Sequence, residues 1–360
     1  MNGGSGRADR TPRLRRAGRW LIVGAIAITV IAPILLGGSD ALSATLHFSA
    51  QGYLAILALI AASWCCRAIK LQILLRRFDV PASLARVLGI SLATDFAFMT
   101  TPGGVGGYAA SLYYLRRAGA SASGAATITA ADQGMDVIFF VLALPIAGLC
   151  LIVSSTLGSG APHALSTIAF ATSASIVLLA VSVLLGRHKL GEWFAGISFG
   201  QRWPRLSRAH QAACAFLSTL RADAALVQAG GPRFLFNIFA LTALQQLTRY
   251  SILWLALLLL GHSVAFPLVL LLQVFVLQAA SWTGVPSGAG GAELGLTATL
   301  TGWVPATSLA TALLLWRIAT LYVALIAGAI AIAALARAGR RMISSPDTAR
   351  AEVLRHGLLK

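Results

Sequence analysis

Pro102-Gly103-Gly104-Val105-Gly106-Gly107 and Pro286-Ser287-Gly288-Ala289-Gly290-Gly291 share one pattern, Pro-x-Gly-x-Gly-Gly, and each interrupts a long apolar stretch. Proline removes a backbone donor and glycine lets the chain turn tightly, so neither segment continues a membrane helix. In hydrocarbon, such irregular backbone survives only where protein or a water-filled cavity covers it. Paired breaks in the two halves of a membrane chain point to a transport site at a repeat interface. The residues read as breaks are Pro102, Gly104, Gly106 and Gly107 in the first half, and Pro286, Gly288, Gly290 and Gly291 in the second.

The surrounding composition sets the class. Of 360 residues, 58% are hydrophobic and 11% charged, and the mean hydropathy is +0.80. Soluble domains carry about 25% charged residues. The chain therefore reads as an all-α polytopic membrane protein. Its net charge of +17 comes from arginines in tails and loops between apolar runs. That is positive-inside anchoring against anionic inner-leaflet headgroups, and no basic-aromatic module indicates nucleic acid. Cys65, Cys66, Cys150 and Cys214 show no Cys-x-x-Cys or Cys/His ligand spacing, so neither a disulfide framework nor a zinc site is expected. The arginines before residue 20 and the apolar run 20–36 have the outline of a signal peptide. The run exceeds the usual length of about 7–15 residues, so a retained first helix is expected.

Apolar runs long enough to span lie at 20–36, 53–75 (whose last turns turn basic at Arg67 and Lys70), 128–153, 164–186, 234–260 and 306–336. Two more, 84–100 and 264–283, lead straight into the Pro/Gly breaks. If all eight cross, the arginine-rich linker 187–233 and the pair Arg116/Arg117 fall outside. If 84–115 and 264–303 are instead re-entrant hairpins, every basic loop becomes cytoplasmic. The outer loops near 39–51, 154–163 and 261–263 then hold no lysine or arginine. Positive-inside charge favours the hairpins. The expectation is about six transmembrane helices and two re-entrant hairpins in an inverted-topology repeat, with both termini cytoplasmic. A basic arm covers 1–19, repeat one about 53–153, a cytoplasmic linker 187–233, repeat two about 234–336, and a basic tail 337–360. Within the linker, 212–227 has helical periodicity and reads as a connecting helix.

Ionisable residues within these spans and hairpins are few: Asp95, Asp132, Asp136, Arg249, Glu293 and Arg317. Each costs about 2.5–3.5 kcal/mol at a helix centre on insertion scales. Asp132 and Asp136 are four apart and share a helical face. Three readings are open for them: a helix start near the cytoplasmic surface, a metal-pyrophosphate pair, or a lipid-site role. Arg317 and Glu293 are placed to meet, and Arg249 comes from the helix before the second hairpin; Arg67 holds the corresponding place before the first. A guanidinium suits a phosphate because it offers a planar fork of donors. One reading gives Arg249 and Arg317 a lipid phosphate, with Glu293 orienting one of them; the other makes Glu293–Arg317 a permanent structural pair. Neither glycine segment has the Lys-Ser/Thr ending of a nucleotide loop.

The chain resembles the flippase-like membrane family, the lysylphosphatidylglycerol synthase transmembrane region and its stand-alone relatives, over about 20–336. The most specific part is Pro286-x-Gly288-x-Gly290-x-x-Glu293 followed by Trp316-Arg317. The first-half counterpart, with Asp132-Gln133 and Asp136, is degraded. Members often carry an arginine where Gly104 stands, a glutamate near Gly107 and a Glu-Arg pair where Asp132-Gln133 stands. The resemblance implies a bacterial inner-membrane translocator of phospholipid or isoprenoid-lipid headgroups rather than an enzyme, without cofactor or metal. Its implied partners are membrane lipids, with lipid-modifying enzymes if the chain is instead an accessory or scaffold. A membrane-embedded transferase is the third alternative. Only a short tail follows the last span, so lysyl transfer by this chain alone is not implied. The residues expected at the lipid site are Arg249, Glu293, Arg317, Asp132, Asp136 and Arg67.

Overall fold

The computed structural model describes residues 38–156, 218–219, 222–223 and 225–343. The expected spans 20–36 and 164–186, most of the linker and the tail beyond 343 lie outside the described residues. The described linker residues 218–219, 222–223 and 225–228 are helical. All regular elements among the described residues are helices.

After a short helix at 38–46, one succession of elements occurs twice. Helix α1 (Ala50–Arg77) is followed by α2 (Leu84–Thr100), a tight turn (Pro102–Gly104), α3 (Val105–Ala118) and α4 (Ala122–Thr156). Helix α5 (Gly231–Leu259) is followed by α6 (Phe266–Ser281), a tight turn (Pro286–Gly288) and α7 (Gly291–Leu300). The second series closes with α8 (Ala306–Arg317), a π-helical segment (Ile318–Val323) and α9 (Ala324–Ile343). Three of these helices, Ala50–Arg77, Ala122–Val153 and Ala306–Ala338, are long and apolar enough to cross a membrane. Helix α5 has 29 residues, about 43 Å of rise, but carries Gln245, Gln246 and Arg249 in its middle.

Sequence explains where the elements stop. Ser49 and Ser83 cap α1 and α2, each hydroxyl accepting a backbone N–H from the first turn. The breaks work by positive φ: Gly103 (60°) and Gly104 (72°) in the first turn, Ser287 (55°) and Gly288 (63°) in the second. Both turns are 3-10, and they pack against each other.

Two apolar cores lie on either side of a polar layer. One gathers Ile56 and Ile60 of α1, Leu144 and Leu151 of α4, Ile252 and Leu257 of α5, and the buried faces of α6, α7 and α8. The other gathers Leu71 and Leu74 of α1, Val87 and Ile90 of α2, Leu115 of α3, Ile128 of α4 and Ile238 of α5. The short pair α2–α3 contributes to the second core, while α6–α7 contributes to the first. Along the chain α1 runs from the first core to the second, whereas α5 runs from the second to the first. Helix α4 follows α5 in direction. The α8–α9 rod follows α1, with Leu309 in the first core and Leu335 against the second.

Packing between the halves is exchanged in the same way. Helix α2 packs on α9, and α6 packs on α4, while α1 packs on α5. The α2–α9 contact is close because a Cβ on Gly328 would sit 2.6 Å from Phe96 Cβ and 2.8 Å from the Leu92 carbonyl oxygen. Two expectations need correction. The last span is not one uniform α-helix, since six residues after Arg317 take a π turn, a feature ordinary apolar composition does not encode. Helix α4 begins at Ala122, so Asp132 and Asp136 stand in its third and fourth turns rather than at a helix start.

Candidate functional site

The long helices carry their polar residues at the level between the two cores. On α1, Arg67 and Lys70 are three apart and share a face; Lys70 is 0% exposed. Arg67 Nη1 pairs with Asp95 of α2, and Arg67 Nη2 donates to Asp132 Oδ2 of α4 at 3.2 Å. Lys70 Nζ sits 2.8 Å from Asp132 Oδ1 and 3.3 Å from Asp136 Oδ1. Three carboxylates therefore enclose two cations, each charge with at least one opposite neighbour and one negative charge in excess. Such a closed network holds α1, α2 and α4 in register, and its charges are affordable in an apolar surround only together.

The second half builds a smaller cluster. The backbone N–H of Gly290 donates to Glu293 Oε2 at 2.8 Å, closing a cap on α7. The other carboxylate oxygen accepts from Arg317 Nε at 2.6 Å. Arg317 Nη1 reaches the Ser287 carbonyl at 3.5 Å, and its guanidinium carbon lies 4.5 Å from the Trp316 ring centroid. Arg317 Nη2 is buried without a hydrogen-bond partner among the described residues. One arginine thus ties the last helix to the second Pro/Gly turn and keeps one donor edge spare.

Between the clusters lies a cavity of about 330 Å³ lined from both halves. Arg67, Asp95, Gln133 and Asp136 come from the first half; Gln245, Gln246, Arg249, Gln273, Ser287 and Arg317 come from the second. Tyr250, Trp316 and Phe140 supply aromatic wall. Gln273 is anchored by donating to the Tyr250 carbonyl at 2.9 Å, whereas the buried Gln245 Oε1 has no partner. Arg249 lines the cavity and makes no salt bridge among the described residues. Its charge faces the space itself.

The profile of the lysylphosphatidylglycerol synthase TM region matches residues 20–328. The chain belongs to that family. No curated protein matches it.

Among the residues that the sequence assigns to the site of this lysylphosphatidylglycerol synthase TM-region chain, Arg67, Asp136, Arg249 and Arg317 line one cavity. Asp132 and Glu293 stand behind it as ion-pair partners. The helix-start reading of Asp132 and Asp136 fails because both lie inside α4, where each carboxylate pairs with Lys70. The count of charges within the spans was too low: Arg67 and Lys70 belong with them. Lys70 had looked like part of the basic end of α1, and its spacing of three from Arg67 is the signal that marks it. The four lining glutamines were also missed; the Gln245-Gln246 pair inside an apolar span is their signal. Among the described residues no group of three or more His, Cys, Asp or Glu could hold a metal ion. Cys65 and Cys66 are free cysteines among the described residues, and Cys214 lies outside the described residues.

Proposed function

We propose that the chain moves a phosphate-bearing lipid headgroup between leaflets through the cavity where its halves meet. The observation that carries this is Arg249, a cavity-lining cation that makes no salt bridge among the described residues, in the same cavity as the spare Nη2 edge of Arg317. An unpaired charge at that depth costs several kcal/mol unless a ligand or water answers it, and a phosphate matches a guanidinium fork. Glu293 orients Arg317, while Asp136 and Asp95 on the opposite wall give hydroxyl or ammonium groups of a headgroup somewhere to bind.

The reading takes the twice-occurring helix series as an inverted repeat, with α2–α3 and α6–α7 dipping in from opposite faces. It is supported by the restriction of each short pair to one core and by the opposed directions of α1 and α5. It is also supported by the contact of the two turns with each other, the second of which lines the cavity through Ser287. No motor is visible, so transport runs downhill or is coupled to ions by alternating exposure of the one site. The long apolar helices support the reading of a multi-pass inner-membrane protein, and the charge rule supports cytoplasmic termini.

A leaflet-accessibility assay tests it. Full-length protein is reconstituted in phosphatidylcholine/phosphatidylglycerol vesicles bearing a headgroup-labelled reporter, and reporter exposed to a membrane-impermeant quencher is followed. Wild type makes inner-leaflet reporter accessible, and Arg249→Gln slows this about tenfold or more at unchanged thermal stability. Equal rates in the two proteins, or in protein-free vesicles, reject the reading.

A further inference from the structure

A second groove, of about 390 Å³, lies between the first short-helix pair and the last helix and shares no lining residue with the central cavity. Ala85, Gly89 and Ile90 of α2 form one wall, and Ala331, Ala334, Leu335 and Ala338 of α9 the other. Small residues on facing membrane helices usually let the backbones close together. Here they leave an open apolar slot. Its mouth is basic: Arg86 and Arg117 line it with Tyr114, and the lining holds no acidic residue.

The two guanidinium groups are held by neutral acceptors alone. Arg86 Nη2 donates to the Arg117 carbonyl at 3.0 Å, and Arg117 Nη1 donates to the Tyr113 hydroxyl at 3.1 Å. Neither arginine makes a salt bridge among the described residues. Each guanidinium has five N–H donors, so both keep donors in hand. Exposed Arg116 on α3 and exposed Arg337 on α9 add to the positive field. Two neighbouring cations over an apolar slot are the chemical complement of an anionic phospholipid: phosphate at the mouth, acyl chain along the alanine wall.

We propose that this groove binds one anionic phospholipid, phosphate between Arg86 and Arg117, as a site separate from the translocation cavity. The lipid bridges the first short-helix pair to α9 and covers the slot that their small residues leave. The charge rule that places Arg116 and Arg117 at the cytoplasmic boundary makes it an inner-leaflet lipid.

The test uses the full chain in detergent, with thermal unfolding followed during titration of dioleoylphosphatidylglycerol, dioleoylphosphatidylcholine or inorganic phosphate. Wild type is stabilised at lower concentrations of the anionic lipid than of the zwitterionic one, and inorganic phosphate has no effect. The Arg86→Gln/Arg117→Gln variant weakens the anionic-lipid response about tenfold. Ala334→Leu, which fills the slot and keeps both arginines, weakens it similarly, while Arg76→Gln, at an exposed arginine that lines neither space, leaves it intact. Three outcomes overturn the proposal. Both groove variants retain the wild-type preference; inorganic phosphate reproduces the shift; or the variants lose a dimer seen by sedimentation rather than lipid affinity, which would give the groove to a second copy of the chain. Loss of leaflet exchange in Arg249→Gln bears only on the translocation reading, so the two proposals fail separately.

Discussion

Glu293 and Arg317 are joined at 2.6 Å, and the same carboxylate caps the helix that leaves the second Pro/Gly turn. The pair is therefore a mechanical link as well as a charge pair. It fastens α8, just before its π segment, to the backbone at Gly290. Both groups are almost wholly buried, the side chain of Glu293 at 0% and that of Arg317 at 4% exposure, so breaking the link strands a charge.

Arg317→Ala should destabilise the protein by about 3–5 kcal/mol, because Glu293 is left buried and unpaired. Removing both charges in Glu293→Leu/Arg317→Ala should cost less than Arg317→Ala alone. Chemical denaturation of purified protein in micelles measures the cycle. A double variant as unstable as the sum of the singles would show that the two residues do not act together. For this reason Arg317 is a poor reporter of ligand binding, and Arg249 is the better one.

Lys70→Met should be among the most destabilising single substitutions, on the order of 3–5 kcal/mol. It removes the one ammonium that lies within 3.3 Å of both Asp132 and Asp136. Adding Asp136→Asn relieves the repulsion between carboxylates one turn apart, so the double variant should recover part of the loss. The same denaturation series decides it; no recovery would mean that Lys70 acts by packing alone.

Gly328→Val should separate α9 from α2. The Leu92 carbonyl oxygen would lie 2.8 Å from the new Cβ, and backbone cannot turn aside as a flexible side chain can. A loss of about 1–3 kcal/mol is expected from overpacking. A melting temperature within error of wild type would show that the helices slide apart freely.

Much of this architecture could be read from residue types whose backbone chemistry is unambiguous. Pro102 and Pro286 with their glycines mark the two turns, and each turn has positive φ. The meeting of Glu293 with Arg317 followed from their scarcity in an apolar chain. What stayed hidden depended on tertiary contact. Lys70 reads as a boundary lysine until Asp132 and Asp136 are brought beside it, and Asp132 reads as a terminal residue until α4 is seen to start at Ala122. Glutamine carries no charge to betray burial, so Gln245 and Gln273 looked like ordinary helix residues until the cavity placed them. The second groove depends on alanines of α2 and α9 facing each other, which no local pattern specifies.

The central claim is that the two Pro/Gly turns reach the cavity from opposite faces, each on a helix pair that enters and returns. Single cysteines placed at exposed Arg76 and Arg116, flanking the first pair, and at exposed Ser263 and Thr301, flanking the second, test it in sealed vesicles of known orientation. With a membrane-impermeant thiol reagent, Arg76→Cys and Arg116→Cys should react from one face, and Ser263→Cys and Thr301→Cys from the other. Labelling of the two flanks of either pair from opposite faces would mean that the pair crosses completely, and would contradict the account.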